Sequence, residues 1–151
     1  MPIILAMKNL KIAGGAATAL ATVLLVGGIA TPAHAATGPE ICGGSEYVRI
    51  EAHEFLNGRL VVSKHRNSNT MCAVTFNTTG TTRYTRATLV RVPAGGGVTY
   101  GSKEDAGQYT QYAGPIYLAN QYPNNDFYAE GQVGGNSVQL YCTLTYCAVP
   151  R

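Results

Sequence analysis

The sequence runs to 151 residues with a formal charge of +3, four Cys and no Trp. Two of its eleven Lys and Arg lie in residues 1–35; the 116 residues after them carry nine basic and eight acidic side chains, a net charge of +1. A near-neutral chain of that size lacks the electrostatic footprint of a nucleic-acid binder or a polybasic membrane-surface protein, and it is the length of one domain.

Residues 1–35 follow the plan of a secretory signal. Lys8 and Lys11 form the positive start, residues 12–29 an apolar stretch rich in small side chains, and Ala33-His34-Ala35 the A-x-A cleavage pattern. The pattern predicts a helical signal peptide cleaved after Ala35, with residues 36–151 exported as one domain and no membrane attachment afterwards. The span is also long enough for an uncleaved anchor, against which the A-x-A site and the interior glycines stand. Residues 1–6 fit no part of this plan, and Met7 reads as a more natural start than Met1.

Beyond Ala35 no long stretch has helical period. Short β-type runs are broken every 8–15 residues or so by turn chemistry, which predicts an all-β fold, a small disulfide-stabilised β-sandwich or barrel. Residues 47–53 alternate Tyr47, Arg49, Glu51 and His53 with Val48, Ile50 and Ala52, as an amphipathic strand does. Asn57-Gly58 predicts a hairpin turn with both residues at positive φ, and residues 59–64 the returning strand. Asn67-Ser68-Asn69 marks the next break.

Residues 70–77 place Cys72, Val74 and Phe76 on one face, read here as the core face, and Met71, Ala73 and Thr75 on the other. Thr79-Gly80 turns into a run at 82–92 dense in Thr, Val and Tyr. Pro93-Ala94-Gly95-Gly96-Gly97 predicts a loop; its glycines lack the Lys-Ser/Thr and the strand–helix setting of a phosphate cradle. A short strand at 98–100, a charged turn at 102–105, and strands at 108–112 and 116–119 follow. Pro115, with no N–H, places the segment between them at a kink, an edge or a bulge. A polar loop at 120–126 leads to a last hairpin, 127–133 and 137–144, around Gly134-Gly135-Asn136.

Cys42, Cys72, Cys142 and Cys147 all lie in the exported part, and an even number there predicts two disulfides. Of three pairings we favour Cys42–Cys72 with Cys142–Cys147, which joins neighbours in sequence, although crossed pairings would close longer loops and chain entropy does not decide. No C-x-x-C pair occurs and neither His53 nor His65 stands at ligand spacing from a cysteine, so no metal and no redox role is predicted.

Glu51, His53 and Glu54 are the densest titratable cluster, with Ser45 or Ser63 as conceivable nucleophiles. No G-x-S-x-G elbow supports them, and a solvated strand face explains them more simply. His65 beside Arg66 reads as an exposed loop residue. Glu104, Asp105, Asp126 and Glu130 could supply a carboxylate pair for glycoside hydrolysis, but a chain without Trp makes a poor glycan cleft. No catalytic residue and no cofactor is therefore expected. Asn77-Thr78-Thr79 matches a glycosylation sequon, relevant only in a host with that machinery. Six tyrosines, Tyr100, Tyr109, Tyr112, Tyr117, Tyr122 and Tyr128, crowd into 29 positions. Tyrosine offers a broad apolar face and a hydroxyl at low conformational cost, so Tyr109, Tyr112, Tyr117, Tyr122 and Tyr128 are the candidate binding surface, set against their ordinary use as core or cross-strand residues.

The segment Asp105-Ala106-Gly107-Gln108-Tyr109-Thr110-Gln111-Tyr112-Ala113-Gly114-Pro115-Ile116-Tyr117-Leu118 resembles the hallmark of the spore-associated protein A family, small exported proteins of filamentous actinobacteria. Cys42-Gly43 leading to Tyr47, and Asn69-Thr70-Met71-Cys72-Ala73-Val74-Thr75, are similar to two further family stretches. The family's third cysteine has no counterpart at Asn124-Asn125-Asp126-Phe127, and an additional one stands near the C-terminus instead. The resemblance implies a secreted protein that associates with the spore or cell surface, and it implies no enzyme.

Together these features lead to the expectation of a non-enzymatic protein at the spore or cell surface, acting through a Tyr-rich β surface, monomeric or weakly self-associating. A glycan- or small-ligand-binding β-sandwich is the alternative. A secreted protease inhibitor, with the loop at 143–146 as its exposed segment, is a third reading.

Overall fold

The computed structural model describes residues 36–120 and 125–151. The expected signal segment and Tyr122 lie outside the described residues. After a short helix α1 (Gly38–Cys42) and a 3-10 turn (Gly44–Glu46) come nine strands: β1 (Tyr47–Phe55), β2 (Gly58–His65), β3 (Thr70–Asn77), β4 (Arg83–Pro93), β5 (Ser102–Tyr109), β6 (Tyr112–Ala119), β7 (Asn125–Val133), β8 (Asn136–Cys142) and β9 (Cys147–Ala148). They form two antiparallel sheets, ordered β1-β2-β3-β6 and β5-β4-β7-β8-β9. The fold is an all-β sandwich. No helix among the described residues is long and apolar enough to cross a membrane.

The core lies between the sheets. Leu60, Val62, Met71, Ala73, Ile116 and Leu118 come from the four-stranded sheet, and Ala87, Leu89, Phe127, Ala129 and Leu140 face them from the other, all buried. Burial of such side chains is the main stabilising term, about 1.5–3 kcal/mol for each large aliphatic or aromatic one. The face assignment on β3 is therefore the reverse of that expected. Met71 and Ala73 point into the sandwich, whereas Cys72 and Val74 are buried on the outer face with Cys42 of α1. A covered outer face makes both sides of β3 apolar, and alternation alone does not say which side is the interior.

The cover is held by the Cys42–Cys72 disulfide, and the second disulfide is Cys142–Cys147 at the β8–β9 turn. Pro39 stands in the first turn of α1, and the Glu40 carboxylate accepts the Thr37 N–H at 2.6 Å.

Several boundaries correct the sequence reading. The β1–β2 turn is Leu56-Asn57, one residue early; only Asn57 has positive φ, and Gly58 already pairs with Phe55. Gly58 is glycine because the Phe55 ring and a Val133 methyl occupy the space of a Cβ. Residues 98–100 form no strand, and the charged stretch at 102–105 begins β5 rather than a turn. β5 is a sheet edge, where charged side chains protect against pairing with other chains. Residues 112–119 form one strand through Pro115, and β6 is likewise an edge. Asn125 and Asp126 belong to β7 rather than to a loop.

Candidate binding surface

Of the tyrosines singled out in the sequence, the four described ones, Tyr109, Tyr112, Tyr117 and Tyr128, do not share one surface. Residues 110–111 carry the chain from β5 in one sheet to β6 in the other, so Tyr109 and Tyr112 part company there. Tyr109 packs against the core and donates its hydroxyl to Asp105 Oδ1 at 2.7 Å. That bond, and burial after it, raises the hydroxyl pKa above its usual 10.0. Tyr112 packs with Phe76, ring centroids 5.9 Å apart. Tyr117 donates to the Cys42 carbonyl at 3.0 Å and lies 5.9 Å from the Tyr47 ring, and burial raises its pKa. Tyr128, on β7, stacks edge-on against Tyr141 at 5.5 Å.

The conspicuous segment at 105–118 is chiefly a clip between sheets. Asp105 Oδ2 accepts the Gly114 N–H at 2.6 Å while Oδ1 holds Tyr109. Gly107 lies under the Tyr109 ring, which a Cβ would meet at 3.1 Å. Gly114 has φ +96°, and a Cβ there would stand 2.7 Å from the Ala73 carbonyl. Asn77 closes the same corner: its amide donates to Thr81 O at 2.7 Å and Tyr109 O at 2.9 Å. The sequon asparagine is thus 7% exposed with both amide hydrogens engaged, a poor glycosylation acceptor.

The titratable residues considered for catalysis are dispersed or already partnered. A β-bulge between Arg49 and Glu51 resets the alternation of β1, which is why Ile50 and Phe55, five residues apart, both pack on the core. Tyr47 and Arg49 therefore do not share a face with Glu51 and His53. Glu51 accepts the Ala52 N–H at 3.0 Å, and Glu54 is 3.7 Å from Arg59. Ser63 is fully buried and pairs with Arg49, whereas His53 pairs with Leu60, so no His–Ser dyad forms there. The Ser45 carbonyl accepts Arg66 Nε at 2.7 Å. His65 ends β2 rather than standing in a loop, half-buried with its ring edge-on to Tyr47 at 5.2 Å.

The four carboxylates considered as a pair are likewise engaged. Asp126 accepts the Tyr141 hydroxyl, Asp105 clips the sheets, and Glu104 and Glu130 stand on either side of Arg86. That last arrangement lies at the centre of a broad polar surface. On the outer face of the five-stranded sheet, register aligns the row Glu104–Thr88–Glu130–Gln139. Flanking rows are Ala106–Arg86–Gln132–Ser137 and Ser102–Val90–Tyr128–Tyr141. Directly opposed residues share a face. Four strands by three rows span roughly 15 Å each way.

Arg86 bonds Glu130 and lies 3.9 Å from Glu104, which also accepts from Thr88 at 3.2 Å, so the surface is locked and nearly neutral. Ser102, Glu104, Ala106, Ser137 and Gln139 are exposed, while Tyr128 and Tyr141 are half-buried. The 93–101 loop reaches Tyr141, whose hydroxyl accepts the Gly95 N–H at 3.2 Å. The bond to Asp126 raises the Tyr141 pKa more than burial does, and the Gly95 amide opposes both. Of this surface the sequence marks Tyr128 as a binding residue, and Glu104 and Glu130 only as members of a conceivable carboxylate pair. It misses Arg86 and Tyr141; the period-two order Arg86, Thr88, Val90 in the 82–92 run is the available signal.

Comparison with protein-family models, curated proteins and solved structures returned no match.

Proposed function

We propose that this chain is an exported, non-enzymatic protein of the spore or cell envelope, bound there through the outer face of its five-stranded sheet, with wall polysaccharide as the material it contacts. The observation that carries the reading is the outer face of opposed polar rows with the Tyr128–Tyr141 pair at one side. Sugars present apolar ring faces edged with hydroxyls. Tyrosine rings receive the former, and the Gln, Thr, Glu and Arg side chains beside them offer donors and acceptors for the latter. Near-neutrality suits an uncharged polymer, and the two disulfides suit an oxidising compartment. The resemblance of the 105–118 segment to the spore-associated protein A family supports the location.

Fractionation of a sporulating culture tests it. The protein is followed by antibody through washed spores, vegetative walls and spent medium. Recovery with spores or walls, with release by a detergent or polysaccharide wash, is the expected result. Recovery wholly in the medium contradicts the proposal.

A further inference from the structure

A cleft of about 400 Å³ opens where β1 and the end of β2 approach the Cys142–Cys147 loop. Its apolar lining is Val48, Ile50 and Leu144, and its charged lining is Arg49, Lys64 and Arg66. We propose that this cleft binds a small organic anion, a single carboxylate or phosphate head on a compact apolar body. The assignment is independent of the sheet-face reading.

Charge gives the first argument. Arg59 is paired with Glu54, and Arg86 with Glu104 and Glu130. Among the described residues no such ion pair holds Arg49, Lys64 or Arg66. Register sets Lys64 beside Val48 on the cleft side and Arg49 beside Ser63 on the other face of the sheet, so Lys64 and Arg66 are the two cations next to the apolar wall. An anion placed between them relieves their repulsion, and a carboxylate or phosphate accepts two or more N–H donors at once. The nearby Glu46 is turned to His65, 3.9 Å away.

The apolar lining gives the second. Ile50 and Leu144 rest on the hydrophobic core, and Val48 beside them is 41% exposed, a β-branched side chain left to water at the cleft wall. A free inorganic anion would leave that surface wet, whereas an aryl or short alkyl group covers it. The volume lies in the range of small-molecule sites, roughly 300–1,000 Å³.

The third is pre-organisation. Arg66 is fixed by its N–H to the Glu46 carbonyl at 2.8 Å and by its Nε to the Ser45 carbonyl at 2.7 Å. The opposite wall is a disulfide-closed turn with Thr143 N–H bonded to the Tyr146 carbonyl at 2.9 Å. A cavity with walls fixed in this way loses little freedom on binding.

Titration calorimetry of the purified protein with phenyl phosphate and with benzoate tests the proposal, with inorganic phosphate and benzyl alcohol as controls. Phenyl phosphate or benzoate binds, and whichever is tighter identifies the head group. Either control binds at least about tenfold more weakly. The Lys64→Gln/Arg66→Gln double variant weakens the organic anion by about tenfold or more, as does high salt. Leu144→Ala weakens the organic anion and leaves inorganic phosphate unchanged. Amide shifts of the unmodified protein, read by NMR during titration, centre on residues 48–50, 64–66 and 144–145. No binding of either anion at about 5 mM, or unaltered binding by the folded double variant, overturns the proposal. So do inorganic phosphate binding as tightly as phenyl phosphate and shifts centred elsewhere.

Discussion

The Asp105 carboxylate on β5 accepts the backbone N–H of Gly114 on β6 at 2.6 Å, and so joins the edge strands of two different sheets. Its other oxygen takes the Tyr109 hydroxyl, so one side chain secures both arms of the turn that crosses the sandwich. Asp105, Gly107, Tyr109 and Gly114 of this conspicuous segment are the parts of that clip, whereas Tyr112 packs on Phe76 and Tyr117 bonds the Cys42 carbonyl.

Asp105→Ala leaves the Gly114 amide without its acceptor and should cost about 1–3 kcal/mol. Gly114→Ala forces a side chain onto a backbone at φ +96° and against the Ala73 carbonyl. A loss of about 2 kcal/mol or more is expected for it. Urea unfolding midpoints measure both, and an unchanged midpoint in either variant removes the clip from the account.

The general fold was legible in the sequence because period-two alternation and turn residues mark strands whatever their partners. Legibility failed wherever tertiary contact decided. Cys72 and Val74 look like sandwich core, yet they are buried beneath α1, a cover that no pattern within β3 announces. Ser102-Lys103-Glu104-Asp105 looks like a turn because an edge strand is charged for the reason a turn is: both meet water. The bulge in β1 divided a face that simple alternation had joined, and with it the Glu51/His53 cluster from Arg49. The tyrosine cluster dissolved because two residues, Thr110 and Gln111, carry the chain between sheets.

Removing the Cys42–Cys72 bridge, whose ends are 30 residues apart, should cost roughly 3.5–4 kcal/mol, and removing Cys142–Cys147, five apart, about 2. Only the first loss should uncover Val74 and the Tyr47–Tyr117 pair. Paired Cys→Ser variants compared by denaturant unfolding and near-ultraviolet circular dichroism check this. Equal effects from the two bridges would contradict it.

Tyr47, Tyr109, Tyr117 and Tyr141 all have hydroxyl pKa values raised above 10.0 in the folded chain. For Tyr47 and Tyr117 burial is the main cause; for Tyr109 and Tyr141 it is the bond to an aspartate. The unfolded chain therefore releases these protons first. Stability from this source is complete below pH 10.0 and falls as pH rises from there through the folded-state values. Urea midpoints followed from neutral pH to about pH 11 should decline in step with tyrosinate absorbance, and Tyr117→Phe should soften the decline. A flat alkaline profile would contradict the assignment.

The most direct test of the central claim is co-sedimentation of the purified protein with washed spores and cell walls. Three forms are compared: the unmodified chain, Tyr128→Ala/Gln139→Ala on the outer face of the five-stranded sheet, and Tyr112→Ala on the other sheet. The unmodified protein and Tyr112→Ala should pellet alike, and the double variant, if folded by circular dichroism, should bind about tenfold more weakly. The account is contradicted if the unmodified protein stays in solution or if the double variant pellets as well as it does.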